Sequence, residues 1–328
     1  SSASTEDMLM PEEQTWVTLT VAGQLSRGYV DEPPKVTASD KEPPRFLVQG
    51  STSHILYLFT AKGECATIPV QQLPQAEEPS GGTPFSGLSP LSAQSEVVAV
   101  LSMPMGVESG YLFMSTESGQ VKRVRMSDMP GMSANGFTVM NVGKDDRLGW
   151  VFPTDGKQDV ILTSNQAQAI RFKESDVRST GLPAGGVRGI KLGNQRARVV
   201  GASIATDGEY VWTITDDGIA KISPMEEYPT QGRGGGGVIT MRLPTTSQEV
   251  AAATTGRLDA RLIALSNKHK PLYMRMERTP IIKRGRAGGE SVISMTRKNE
   301  RVAAVVDYRS LYEAPEAEEP EEAEPSLE

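Results

Sequence analysis

The chain has 328 residues, 38% of them hydrophobic, with 32 glycines and 22 prolines, a balance that predicts one large turn-rich repeat domain of all-β class and disfavours a helix bundle. One cysteine, Cys65, excludes an intrachain disulfide and fits a reducing compartment; with only His54 and His269 to join it, a cysteine-based metal site within one chain is excluded too. The formal charge of −7 disfavours a nucleic-acid binder at first sight, no apolar run of about 18 residues predicts a membrane helix, and Ser1–Glu13 has no basic or apolar region of a secretory signal.

Residues 1–15 carry four acids and no base, and read as an acidic linker preceding a domain at 16–309. From there a unit of about 50 residues recurs, a period expected of arrays and propellers. Each unit opens on an apolar strand, reaches a small polar turn and leaves on a strand that often carries a base. The six openings are Trp16–Arg27, His54–Ile68, Tyr111–Arg125, Asp159–Phe172, Tyr210–Ile222 and Arg261–Arg275. Aligning the turns at Gly23, Gly63, Gly119, Ala167, Gly218 and Lys270 gives spacings of 40, 56, 48, 51 and 52 residues. Ala167 and Lys270 break the glycine rule, so those two turns are expected to be of another type or strained.

A glycine-rich segment follows the hairpin in five units: Gly81–Gly87, Gly131–Gly136, Gly181–Gly189, Gly232–Gly237 and Gly285–Gly289; the first unit has Asp31–Pro44 there, without glycine. Strands such as Val97–Leu101, Arg198–Ala202, Glu249–Ala253 and Arg301–Val306 are expected to close the units. About four short strands repeated six times predict a propeller-like ring; two unrelated β-sandwiches are the alternative.

Bases recur near the ends of the hairpins: Arg27, Lys122, Arg123, Arg125, Arg171, Lys173, Lys221 and Arg275. Loop bases join them: Lys144, Arg188, Lys191, Arg233, Arg242, Lys283, Arg284 and Arg286. On a ring of equivalent units such positions form a belt that neutralises phosphates and bends duplex DNA without reading bases; the alternative for any one of them is a solvated strand face. Gly232, Gly234 and Gly237 satisfy G-x-G-x-x-G, but Val238–Leu243 alternates like a strand, so neither a dinucleotide site nor a P-loop is predicted. Four consecutive glycines around Arg233 instead suggest a loop whose N–H groups and guanidinium meet phosphate, with a flexible loop as the alternative. No catalytic grouping is evident: His54 and His269 lie in unrelated contexts, and Asp145–Asp146, Asp216–Asp217 and Glu226–Glu227 read as turn or surface acids.

Residues 313–328 hold eight glutamates and no base. Setting aside these and the four N-terminal acids leaves 29 acids against 34 bases in residues 16–312. The expected domain is therefore mildly basic, with an acidic, disordered tail at 310–328 that either solubilises or competes with DNA for the belt.

Three segments carry a resemblance: Glu6–Thr20, Lys173–Gly201 and Lys221–Met241. Through them, over about Met8 to Asp307, the chain resembles the C-terminal domains of the A subunits of DNA gyrase and topoisomerase IV. The resemblance implies a six-bladed β-pinwheel of four-stranded blades, with strands exchanged between neighbours and duplex DNA wrapped around a basic rim. It implies no catalytic residue, metal or cofactor in this domain, ATP and magnesium acting elsewhere in the enzyme. The implied partners are DNA of any sequence and, in an A2B2 assembly, the gyrase B subunit with the rest of the gyrase A subunit. No membrane is implied; the isolated domain is expected to be monomeric, cytoplasmic and nucleoid-associated. The gyrase box Gln-x-Arg-Gly-Gly-x-Gly is absent from the first unit and survives in degenerate form at Gln231–Gly237, where Gln231, Arg233, Gly234, Gly235 and Gly237 match. Its absence at the front raises topoisomerase IV-like bending, for relaxation or decatenation, as the alternative to wrapping that supercoils. A propeller-type protein scaffold, using apolar or acidic rim patches, is the more distant one.

Overall fold

Six times the chain makes the same turn, and its chemistry sets the strands on either side. The computed structural model describes residues 11–316; residues 1–10 of the expected linker and 317–328 of the expected tail lie outside them. The turns are Thr20–Gly23, Thr60–Gly63, Thr116–Gly119, Ser164–Ala167, Thr215–Gly218 and Ser266–His269. In each, the fourth N–H donates to the first carbonyl at 2.9–3.1 Å. The first hydroxyl accepts the next N–H at 2.9–3.3 Å. The fourth residue is left-handed, with φ between +60° and +93°, which is why glycine stands there four times. Ala167 adopts the same turn and not another type, at a cost of roughly 1–2 kcal/mol. In the sixth turn the left-handed residue is His269; Lys270 lies one position beyond the aligned site and donates its N–H to Ser266.

Each turn closes a hairpin: β1 (Gln14–Thr20) with β2 (Gln24–Arg27), β4 (Ile55–Thr60) with β5 (Glu64–Pro69), β8 (Tyr111–Thr116) with β9 (Gln120–Arg125), β12 (Asp159–Ser164) with β13 (Gln168–Lys173), β16 (Tyr210–Thr215) with β17 (Ile219–Pro224), and β20 (Arg261–Ser266) with β21 (Pro271–Arg275). A closing strand returns against the first strand of each hairpin: β3 (Pro44–Ser51), β7 (Val97–Met103), β11 (Leu148–Thr154), β15 (Val199–Ala205), β19 (Val250–Gly256) and β23 (Val302–Arg309). The glycine-rich segments end in two-residue strands that cross to the preceding unit. These are β6 (Thr83–Pro84) on β2, β10 (Phe137–Thr138) on β5, β14 (Val187–Arg188) on β9, β18 (Val238–Ile239) on β13 and β22 (Glu290–Ser291) on β17. Glycine is needed for that crossing: a Cβ on Gly237 would lie 2.2 Å from the Ala169 carbonyl, and one on Gly82 2.6 Å from that of Leu25.

Four sheets are thus four-stranded. The join of the last unit to the first makes a seven-stranded sheet, β21-β20-β23-β3-β1-β2-β6, because Tyr308 and Arg309 of β23 pair in parallel with Leu47 and Val48 of β3. The loop Asp31–Pro44 supplies no strand to β21, as expected of a segment with four prolines and no glycine. Among the described residues β21 therefore keeps a bare edge, blunted by Pro271 and Arg275.

Strands such as Ile55–Thr60 are buried along their whole length, because both faces of a sheet are covered by its neighbours. The apolar clusters lie between consecutive units and run full circle: Val17 and Leu25 with Leu56 and Leu58, Phe59 with Met114, Phe113 with Leu162, Ile161 with Val211, Trp212 with Leu262, and Ile263 with Trp16. The closing strands line a central cavity of about 520 Å³. One α-helical turn, Phe85–Leu88, is the α-helix of the described residues, and no helix there is long and apolar enough to cross a membrane.

Candidate nucleic-acid interface

The segments that cross between units form the outer edge, since each lies beyond the third strand of the preceding sheet. Ser179 bridges to Arg123, Thr230 to Arg171 and Ile281 to Ile222 before the two-residue strands pair. This covering buries four of the eight hairpin bases expected in the belt. Lys122, Arg123, Arg171 and Lys221 are on β9, β13 and β17, the third strands, and are buried. Lys122 Nζ donates to the carbonyls of Val139, Leu182 and Ala184, and Lys221 Nζ to those of Lys283, Arg284 and Arg286. Arg123 stacks on Tyr111 at 4.0 Å and contacts the fully buried Glu174 at 3.4 Å. Arg171 is held by Asp159 at 2.8 Å, Asp207 at 2.9 Å and the Met225 carbonyl. The charge of each of the four thus faces carbonyls, a carboxylate or an aromatic ring of the protein itself. Arg27 is half-buried, with its Nε enclosed.

Arg125, Lys173 and Arg275 are exposed, but they end their strands at the side away from the hairpin turns. Arg188 pairs with Gln120, next to the turn, so the two sets are not brought together. Lys144 is exposed in the loop leading to β11.

The loop bases are brought together, in a pattern that repeats after 51 residues. Arg233 Nε donates to the Asp176 carbonyl at 3.2 Å and its Nη1 to that of Arg188. Arg284 Nε donates to the Glu227 carbonyl at 2.9 Å and its Nη1 to that of Ile239. Lys191 donates its N–H to Gly235, and Arg242, 51 residues on, bridges to Ala287. Arg242, Lys283, Arg284 and Arg286 surround a recess of about 420 Å³ with Glu227, which accepts the Arg284 N–H. Arg188, Lys191, Arg242, Lys283 and Arg286 are exposed.

The glycine box is less open than expected. Gln231 donates its N–H to Arg171, Gly234 donates its N–H to Gly189, and the Gly235 carbonyl accepts from Lys191. The Gly234 N–H is therefore spent on the neighbouring segment, and Gly237 answers to close packing. Two further bases, Arg178 and Arg278, are exposed at the short 3-10 turns that precede the rim segments, and no hairpin or glycine signal marks them in the sequence. Arg45, Arg257, Arg261 and Arg309, outside the expected belt, line the central cavity with Glu209, Asp259 and Asp307. Nothing in a period of fifty separates a cavity-lining base from a rim base; only pairing does.

Charge is unequal around the edge. Residues 178–191, 229–242 and 280–293 carry eight bases and one acid, Glu290. Residues 129–141 carry neither sign, 75–85 only Glu77 and Glu78, and 28–43 four acids and two lysines.

A family model described as DNA gyrase C-terminal domain, beta-propeller, matches residues 110–155, 158–206 and 209–255, three consecutive units of the ring. The chain is 28% identical over 307 residues to the A subunit of DNA gyrase from Klebsiella oxytoca, covering 90% of this chain and 35% of that one. It is 27% identical over 263 residues to that of Dehalogenimonas lykanthroporepellens, covering 75% and 32%. The chain thus spans about a third of the length of these relatives. Its fold is similar to a C-terminal domain of DNA topoisomerase IV (TM-score 0.77, 21% identity, 92% of this chain and 95% of that one). It is also similar to a DNA gyrase A C-terminal domain (TM-score 0.72, 20% identity, 90% and 100%).

Proposed function

The chain belongs to the family of DNA gyrase C-terminal domains, and from that premise we propose that it is a six-bladed pinwheel that binds duplex DNA on its outer edge and is not itself a catalyst. It bends or wraps the duplex and presents a segment for strand passage by a type II topoisomerase. Its partners are then sequence-tolerant DNA and, in an A2B2 assembly, a B subunit with the remainder of its own A subunit, in the cytoplasm at the nucleoid. ATP and magnesium chemistry belongs to other parts of that enzyme.

The observation that carries this reading is the recurrence of the cationic rim segment on three successive boundaries. Cations so placed track a phosphate backbone and carry no base-reading geometry. Fluorescence anisotropy of the 328-residue chain with a duplex tests it. Affinity is expected to fall steeply between about 50 and 200 mM salt and to vary little with sequence. A flat salt response refutes it.

The one-sided distribution of charge supports a second reading within the same family. Three cationic boundaries cover an arc, while residues 28–43 and 75–85 are acidic on balance. An arc favours topoisomerase IV-type bending over a complete wrap. Binding the chain to nicked circular DNA and then sealing the nick with ligase separates the two: a wrap shifts the linking number and a bend leaves it nearly unchanged.

A further inference from the structure

Lys221 is fully buried, yet its ammonium faces no apolar core. Its Nζ lies 3.0, 2.7 and 3.1 Å from the carbonyls of Lys283, Arg284 and Arg286, so a single point gathers three of four consecutive peptide groups. The Arg286 N–H closes the same loop on the Lys283 carbonyl at 3.0 Å. Carbonyls drawn inward leave the side chains of Lys283 and Arg286 on the outside, where both are exposed. Lys122 repeats the arrangement under residues 182–184, with Val139 as its third acceptor.

Packing alone does not require a lysine at this place. Lys122, Ile170 and Lys221 occupy the same register, opposite the fourth residue of β8, β12 and β16. In the fourth unit Ile170 fills the position, its Cδ1 3.7 Å from where a Cβ on Gly235 would stand. An apolar side chain is therefore accommodated under one rim loop, whereas each of the two lysines donates to three carbonyls there.

We propose that Lys221 is a positioning residue that folds its rim loop around one ammonium and so holds the cations of that loop toward DNA. This rests on the DNA-binding reading above. The charged groups facing Lys221 are Glu227, on the turn after its own strand, and Lys283, Arg284 and Arg286 on the loop. Tyr228 lies beside Glu227 and Arg284 and stays neutral, pushed up to about 12 by burial. Burial draws Lys221 down to about 8, with Glu227 opposing and Arg284 adding to the shift.

The folded value lies below the unfolded one, so between about 8 and 10 the unfolded chain holds the proton more firmly. Raising pH through that window makes this group's contribution to folding stability more favourable. It simultaneously strips the ammonium of its charge and of one donor. The proposal therefore expects loop order, and with it DNA affinity, to fall as pH rises through that window while this group's own contribution to stability grows.

The test uses the 328-residue chain and a fluorescent 40-base-pair duplex. Lys221→Met is expected to keep its circular dichroism while binding at least tenfold more weakly at low salt. Wild-type affinity is expected to fall between pH 7.5 and 9.5, and that decline to be shallower in the variant. A folded Lys221→Met within twofold of wild type overturns the proposal. So does a wild-type profile flat over that range, an arm that needs no variant to fold. Wild-type chain that shows no salt-dependent binding overturns the DNA reading itself, a result distinct from either.

Discussion

Replacing Arg242, Lys283 and Arg286 together by glutamine isolates the rim charge from the fold. All three side chains are exposed and, among the described residues, make no hydrogen bond or ion pair. Removing them is expected to change folding stability by no more than about 0.5 kcal/mol. If each neutralises one phosphate, the slope of log affinity against log salt falls by about 0.9 per residue, or roughly 2.7 in all. Over a fourfold rise in salt, from about 50 to 200 mM, wild type then loses roughly 40-fold more affinity than the variant. Anisotropy titrations at four salt concentrations, with thermal melts alongside, measure both quantities. An unchanged slope in a variant that melts normally refutes the assignment of these side chains to phosphate. Arg284 is left in place because its guanidinium already holds the carbonyls of Glu227 and Ile239, so its loss would confuse charge with structure.

Gly218→Ala is expected to lower the melting temperature by at least about 4 °C, because the residue is left-handed and a Cβ there would stand 2.1 Å from the Ile293 carbonyl; a melt within one degree of wild type contradicts this. Glu174→Ala strips a buried carboxylate from Arg123, the Thr154 hydroxyl and the N–H groups of Gly156 and Gln158. The expected loss is about 3–5 kcal/mol in denaturant unfolding, the scale of an orphaned buried charge. Deleting residues 313–328, with eight glutamates, is expected to tighten duplex binding at low salt if the tail competes for the rim; equal affinity leaves it a solubilising segment.

The period of the fold was open to reading because glycine and proline mark it. Gly23, Gly63, Gly119 and Gly218 stand where the backbone turns left-handed, and the closing strands near Val97, Val199, Val250 and Val302 follow at matching intervals. The hydroxyl three places before each turn residue is an equally regular signal in the sequence. It would have placed the sixth turn at His269, since Ser266 is its hydroxyl. The crossing of the two-residue strands was not legible, because Val187–Arg188 or Val238–Ile239 is too short to show any alternation. That crossing decides the site. By covering the third strands, it turns Lys122, Arg123, Arg171 and Lys221 from ligand groups into internal supports. Sequence places a base within a unit but does not say what lies over it, and for an ammonium in this fold that cover is the difference between gripping phosphate and gripping a carbonyl.

Five of the six neighbouring pairs are bound by a segment threaded from one onto the other. Among the described residues no such strand crosses between the first and last units; Tyr308 and Arg309 lie alongside Leu47 and Val48, Leu311 donates its N–H to Gln49, and the cluster of Trp16, Ile263 and Val306 backs them. A stiff duplex held bent around the edge, as proposed, would pull outward on its attachments as it recoils, and the disc would resist by tension along its circumference. That tension finds two ladder positions at this joint and an interleaved chain elsewhere. The joint where the two ends meet is therefore the boundary at which recoil of a bound duplex would be expected to open the disc first.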